Sequence, residues 1–303
     1  MILVLRALGV GDLATAVPAL RGLRTAFPDQ PLALAAPAWL APLVELIGGI
    51  EHLVPTDGLD PDVPLPTAAT AVNLHGCGPE SHRLLRAAGP GRLWAFSNVE
   101  AGHLHGPSWV DEEHEVHRWC RLVGHYGVPT DETDLALAVP AVPVPTGVTI
   151  IHPGAKSPTR RWPPARFATV ARHLTAAGHR ILVTGSTDER DLALHVASAA
   201  GLDTAAAPTT GLVELAGLVA RARLVISGDT GVAHLATAYQ TPSVTLFGPM
   251  SPARWGPPDR PYHRALWYGT RSEPGNLTGS VHPALLAVGE PDVLAAARQV
   301  TLG

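Results

Sequence analysis

The sequence predicts an α/β protein of two doubly wound domains, each built on a parallel sheet. Three observations carry this. Short apolar runs alternate with helical patterns along the chain, the order that buries a parallel sheet between helices. One proline-rich stretch, Ala138-Val-Pro-Ala-Val-Pro-Val-Pro-Thr-Gly147, interrupts the alternation, which then restarts. The length, 303 residues, is long for one such domain and comfortable for two. The predicted domains are 1–140 and 141–303.

In the first domain, residues 2–5 read as a strand and 12–26 as a helix. Residues 32–36 and 39–47 repeat that pair, and 50–54 and 69–74 read as further strands. A short helix over 81–88, a strand over 92–96 and a helix over 113–126 complete the half, with 55–66 a proline-rich loop. In the second domain, strands are predicted at 148–151, 180–184, 224–226 and 243–247. Helices are predicted at 164–177, 188–200, 212–222, 232–239 and 291–300, the last able to pack back on the first domain. Parallel sheets bind ligands at the carboxyl ends of their strands, so a cleft between the two domains is expected.

Composition narrows the class. A hydrophobic fraction of 46% supports sizeable cores. With 22 basic and 26 acidic residues the net charge is −4, which argues against a nucleic-acid partner. Cys77 and Cys120 lack metal-type spacing and make no disulfide framework, so a cytoplasmic location fits. The N-terminal apolar run is too short for a signal peptide and is broken by Arg6 and Asp12. Residues 31–50 are weakly polar, but Pro37, Pro42 and Glu45 make them a poor membrane span. At most a peripheral membrane contact is expected.

The most informative segment is Leu224-Val-Ile-Ser-Gly-Asp-Thr-Gly-Val-Ala-His-Leu-Ala236. A strand feeds a glycine-bracketed turn and then a helix, whose free N–H groups and dipole favour an anion. Asp229, Thr230 and Gly231 form the turn, and His234 lies one helical turn on. The alternative is an ordinary βα turn in which Asp229 or Thr230 caps the helix. A second loop, His152-Pro-Gly-Ala-Lys-Ser-Pro-Thr-Arg-Arg-Trp-Pro163, offers backbone at Gly154 and Ala155 and charge at Lys156, Arg160 and Arg161. Guanidinium groups suit a diphosphate; a solvated basic loop with Trp162 in the core is the plainer reading. In the turn Thr184-Gly-Ser-Thr-Asp-Glu-Arg190, Glu189 either holds ribose hydroxyls or caps a helix.

The first βα turn, Arg6-Ala-Leu-Gly-Val-Gly-Asp-Leu-Ala14, formally fits the G-x-G-x-x-A dinucleotide fingerprint. That fingerprint calls for an acid roughly 20 residues on, and here the second strand runs into Ala36-Pro-Ala-Trp39 instead. Asp12 remains, either as a helix cap or as a general base. After the strand at 69–74, His75, Ser81 and Arg83 either bind a polar or anionic acceptor or belong to a plain glycine-rich turn. His103, His105, His114, His117 and His125 form a histidine-rich stretch read as an acceptor loop; without cysteine ligands or a helical HExxH pattern no metal is assigned.

Gly11-Asp12, HPGA…RRWP, GSTDE and GDTGVAHLA followed by Phe247-Gly248-Pro249 together resemble family 9 glycosyltransferases, the bacterial ADP-heptose heptosyltransferases and their relatives. The resemblance runs along nearly the whole chain in order. It implies a GT-B architecture, two Rossmann-like domains facing a cleft. It also implies an inverting, metal-independent and cofactor-free transfer from a nucleotide-diphosphate sugar, with an ADP-sugar favoured. The acceptor is a sugar, a glycolipid or a small molecule. The family's base aspartate falls on Asp12 and its ribose-binding acid on Glu189. Its phosphate-binding turn falls on Asp229, Thr230, Gly231 and His234. The family's phosphate-binding lysine falls on Arg160, which keeps the charge and changes its shape. The first loop, Arg6-Ala-Leu-Gly-Val, departs from the lysine and serines usual in heptosyltransferases. Two other readings stand beside transfer: another GT-B enzyme such as a nucleotide-sugar epimerase, and a nucleotide-sugar-binding protein without turnover.

Overall fold

The structure, a computed structural model, describes residues 1–275 and 278–301. It divides into two compact units, Met1–Ala138 and a second from Val139 onward. The division falls in the proline-rich stretch.

The first unit holds β1 (Ile2–Leu5), α1 (Val10–Thr15), α2 (Val17–Ala26), β2 (Leu32–Ala36), α3 (Ala41–Ile47), β3 (His52–Pro55), β4 (Thr70–Asn73), α4 (Glu80–Ala87), β5 (Arg92–Trp94) and α5 (Glu115–His125). The strands form one parallel sheet in the order β3-β2-β1-β4-β5. Every residue of β1, β2 and β4 is buried, which explains why β1 and β2 read as continuous apolar runs rather than alternating ones. The helix expected over 12–26 is two helices, α1 and α2. Pro18 is the reason: it has no N–H to donate and its ring crowds the carbonyl four residues back, so the helix restarts with Pro18 in its first turn. The helix expected over 39–47 begins as a 3₁₀ turn, Ala38–Leu40, with α3 following.

The second unit holds β6 (Thr149–His152), α6 (Pro164–Ala176), β7 (Ile181–Val183), α7 (Arg190–Ala199), α8 (Leu212–Ala220), β8 (Leu224–Gly228), α9 (Gly231–Ala238), β9 (Ser243–Leu246), α10 (Pro252–Trp255), β10 (His263–Leu266), α11 (Pro283–Leu286) and α12 (Glu290–Thr301). Its parallel sheet runs β10-β9-β8-β6-β7. The core gathers Trp162, Phe167, Ile226 and Leu246 with Val293 and Val300 of α12. α12 packs on α6, β9 and β10 of its own unit. β10, α10 and α11 are absent from the sequence expectation. β10 is an edge strand whose His-Arg-Ala-Leu pattern is only partly buried, and α10 and α11 are single turns.

Both sheets contain a point where successive connections run to opposite sides. In the first it lies between β1 and β4, in the second between β6 and β8. The loops that leave these strand ends diverge and open a crevice. Among the described residues, no helix is long and apolar enough to cross a membrane.

Candidate functional site

In the first unit, the turn after β1 and the turn after β4 meet at the switch point, because Leu5 pairs with Asn73 in register. Asp12 sits in the first turn of α1. Its Oδ2 accepts from the Gly9 N–H at 3.1 Å, closing a cap, and its side chain stays 31% exposed. Beneath it lies Arg6, which is fully buried. Arg6 Nε donates to the Asp12 carbonyl at 2.9 Å, Nη1 to the Leu74 carbonyl, and Nη2 to Thr15 Oγ1 at 3.3 Å. Nη2 also stands 3.8 Å from Asp12 Oδ1 and 3.6 Å from Glu115 Oε2. The guanidinium stacks 4.4 Å over the Trp119 ring, whose Nε1 donates to Glu115 at 3.0 Å. Burial lowers the Arg6 pKa to about 10, with Asp12 opposing the shift, so Arg6 remains a cation at neutral pH. Asp12 is therefore fixed by its backbone and flanked by a permanent buried charge.

His75 follows β4 and belongs to the same cluster. Burial first, then the charge on Arg6, depress its pKa to about 4 against the pull of Asp12, so the ring is neutral at pH 7. Its backbone N–H donates to Asn73 Oδ1 at 3.0 Å, while its buried Nδ1 has no hydrogen-bond partner among the described residues. Ser81 is placed differently: it is buried and its Oγ accepts from Asn73 Nδ2 at 2.8 Å, serving the turn from below. Arg83 is exposed and reaches the Glu100 carbonyl at 3.4 Å.

In the second unit, the loops after β6 and β8 meet at the corresponding switch point. Arg160 is part of a 3₁₀ turn, Pro158–Arg160, and its Nη2 donates to the Asp229 carbonyl and to Asp229 Oδ2 at 3.0 Å. Asp229 thus engages Arg160 from two oxygens. Trp162 anchors the loop, donating from Nε1 to the Val288 carbonyl at 3.0 Å, and Arg161 Nε closes it on the Ala155 carbonyl at 2.7 Å. Lys156 projects into solvent. Thr230 takes the N-cap position of α9, yet its side chain makes no capping bond. Its Oγ1, the Oγ of Ser227 and Nε of Arg160 are all buried without a hydrogen-bond partner among the described residues. Gly231 begins α9, and His234, one turn on, lies edge-on to Trp255 at 5.8 Å between centroids. The N-terminus of α9 beside a guanidinium suits a phosphate group, and two orphaned hydroxyls, Ser227 and Thr230, lie in the same turn.

Glu189 stands on the next loop, after β7. Its Oε2 accepts from Ser186 N and Ser186 Oγ, both at 3.0 Å, and lies 3.9 Å from His152 Nε2. Gly154 and Ala155 are buried alongside. His152 bonds Thr184 Oγ1 at 3.0 Å through Nδ1, and burial lowers its pKa although Glu189 pulls the other way.

The histidine-rich stretch disperses. His103 is buried against Tyr126 and the Ala95 carbonyl, His114 caps α5, His117 faces Glu132, and His125 reaches the His105 carbonyl. Among the described residues, no group of three or more His, Cys, Asp or Glu is arranged to hold a metal ion. Sequence reasoning missed Arg6, Glu115, His152 and Ser227. A charged or polar residue directly after an apolar run, residues 2–5, 150–151 and 224–226, is the signal that marks Arg6, His152 and Ser227; Glu115 carries none of that kind.

Residues 110–272 match the family model of glycosyltransferase family 9 (heptosyltransferase). Lipopolysaccharide heptosyltransferase 1 of Pseudomonas aeruginosa is 37% identical over 136 residues, 44% of this chain and 36% of that enzyme, so the match spans about a third of the relative's length. Lipopolysaccharide heptosyltransferase 2 of Salmonella typhimurium is 24% identical over an alignment covering 83% of each chain. The structure of Escherichia coli ADP-heptose LPS heptosyltransferase II superposes with a TM-score of 0.79 at 20% identity, covering 99% of this chain and 98% of the other. The pair of five-stranded parallel α/β units is the GT-B fold. By the family match over more than half its length, this chain belongs to glycosyltransferase family 9.

Proposed function

We propose that this protein transfers a sugar from a nucleotide-diphosphate sugar to an acceptor hydroxyl, inverting the anomeric centre and using no metal. The observation that carries the reading is the arrangement at the β6/β8 switch point. There Arg160, held on Asp229, joins the α9 N-terminus and the unpaired hydroxyls of Ser227 and Thr230. Such a surface stabilises the diphosphate as it departs. Lys156 and Arg161 add charge to the same loop, Gly154 and Ala155 lie beneath it, and His234 lines the first turn of α9. Glu189 receives the ribose. The heptosyltransferase relatives make a heptose the first sugar to try, and the similar E. coli ADP-heptose LPS heptosyltransferase II makes ADP-heptose the first donor.

The acceptor oxygen attacks the anomeric carbon as the bond to the phosphate oxygen breaks, and the electron pair leaves on the diphosphate. Asp12 takes the acceptor's proton. Assistance of this kind is worth about 10²–10⁴-fold. Neutral His75 offers its free Nδ1 to a hydroxyl, Arg83 offers charge to an anionic acceptor, and Ser81 supports the turn through Asn73. The acceptor is a sugar, a glycolipid or a small molecule.

The test is a thermal-shift screen of ADP-, GDP-, UDP- and dTDP-sugars followed by product analysis. Stabilisation by one sugar nucleotide, with product only when an acceptor is supplied, supports transfer. A donor altered without any acceptor indicates epimerisation, binding without product indicates a carrier, and no stabilisation by any donor contradicts the reading.

A further inference from the structure

Gly154 has no positive φ, so its backbone conformation is open to any residue. What the position lacks is room. A Cβ there would stand 2.2 Å from Glu189 Cδ, 2.2 Å from Oε1 and 2.4 Å from Oε2. From the other side, a Cβ on Gly185 would stand 3.1 Å from Glu189 Cβ. The side chain of Glu189 is thus seated between two glycines, at the ends of neighbouring strands β6 and β7. Two bonds from Ser186 fix Oε2, and His152 faces it at 3.9 Å. Among the described residues, Oε1 accepts no hydrogen bond, and the side chain is 15% exposed. A carboxylate with one oxygen locked, the other open and its rotamer confined is preorganised to accept from vicinal hydroxyls.

We propose that Gly154 is the residue that selects ribose in the donor: its missing side chain seats the Glu189 carboxylate where the 2′- and 3′-hydroxyls of a nucleoside diphosphate donate to it. The proposal rests on the donor-site reading above. In this role Gly154 acts through Glu189, as a positioning residue.

Binding of ADP, GDP and UDP is measured by calorimetry beside their 2′,3′-dideoxy forms. For the nucleotide that binds, the dideoxy form is expected to bind about tenfold to a hundredfold more weakly, the effect of losing hydrogen bonds to a charged acceptor. In Gly154→Ala the carboxylate is displaced, so this ratio falls toward one. Shortening the acid in Gly154→Ala/Glu189→Asp makes space and restores part of the ratio, which general damage to the loop would not permit. Should Gly154→Ala fail to fold, the glycine is tested in the shortened-acid background: Gly154→Ala/Glu189→Asp is expected to keep the ratio of Glu189→Asp alone, because the shorter acid leaves room for the Cβ, and a lower ratio in the double variant overturns the inference. Equal binding of ribo and dideoxy forms by the wild type overturns this inference and leaves diphosphate binding standing. An undiminished ratio in Gly154→Ala also overturns it. Failure of all three nucleotides to bind overturns both this inference and the donor-site reading.

Discussion

A guanidinium as deeply buried as Arg6 needs partners for its N–H groups, and it finds them in two carbonyls, a hydroxyl and two carboxylates. Arg6→Met takes the cation from beside Asp12 and from the buried Glu115. Breaking a buried pair from one side costs about 3–5 kcal/mol, and urea denaturation should show a loss of that order. Asp229 is coupled to Arg160 in a comparable way. Asp229→Asn keeps the carbonyl contact and weakens the charged one, so Arg160 is held less firmly. Affinity for the nucleoside diphosphate should then fall about tenfold, measured by calorimetry. The sequence placed Asp12, Arg160, Asp229 and Thr230 at strand ends from local signals, because glycines and helix starts are adjacent to them in the chain. It did not show that Asp229 meets Arg160, or that Arg6 lies under Asp12 against Glu115. Asp229 and Arg160 are 69 residues apart and meet because β6 and β8 pair in register, and Glu115 reaches Arg6 only because α5 packs against α1 and α2.

Element order was legible because the buried strands of a parallel sheet carry short apolar stretches that alternate with helical patterns. The exceptions share a cause: β10 carries a polar edge pattern, and α10 and α11 are too short for a helical period to appear. The α1/α2 break is written in Pro18, yet the apolar periodicity runs through it. How closely elements approach is less visible. Gly22 of α2 lies so near the chain after α5 that a Cβ would stand 2.7 Å from Thr130 Cγ2 and 2.9 Å from the Pro129 carbonyl. Alanine is the better helix former, but here it must displace backbone. Gly22→Ala should therefore lower stability, by about 1–3 kcal/mol in urea titration, the usual cost of overpacking.

Several histidines are buried as neutral rings, and together they set how the whole chain responds to acid. Burial lowers the pKa of His82, His103, His152 and His179, and brings His75 and His263 to about 4 from the ordinary 6.5. The unfolded chain binds these protons first. Stability from this source is therefore complete above about pH 6.5 and is lost as pH falls toward 4. Urea midpoints should drop between pH 7 and pH 5; a midpoint that rises over this interval would contradict the burial. The two-unit plan was read from one proline-rich interruption, and the family from motifs spread over both units. The central claim is that diphosphate recognition belongs to the second unit and proton removal to Asp12 of the first. The most direct measurement follows one Asp12→Asn preparation in two assays, sugar transfer with the donor found by screening and donor binding by calorimetry. The account predicts transfer reduced by about 10²–10⁴-fold with donor affinity near wild type. Transfer at the wild-type rate by a folded, donor-binding Asp12→Asn protein would contradict it.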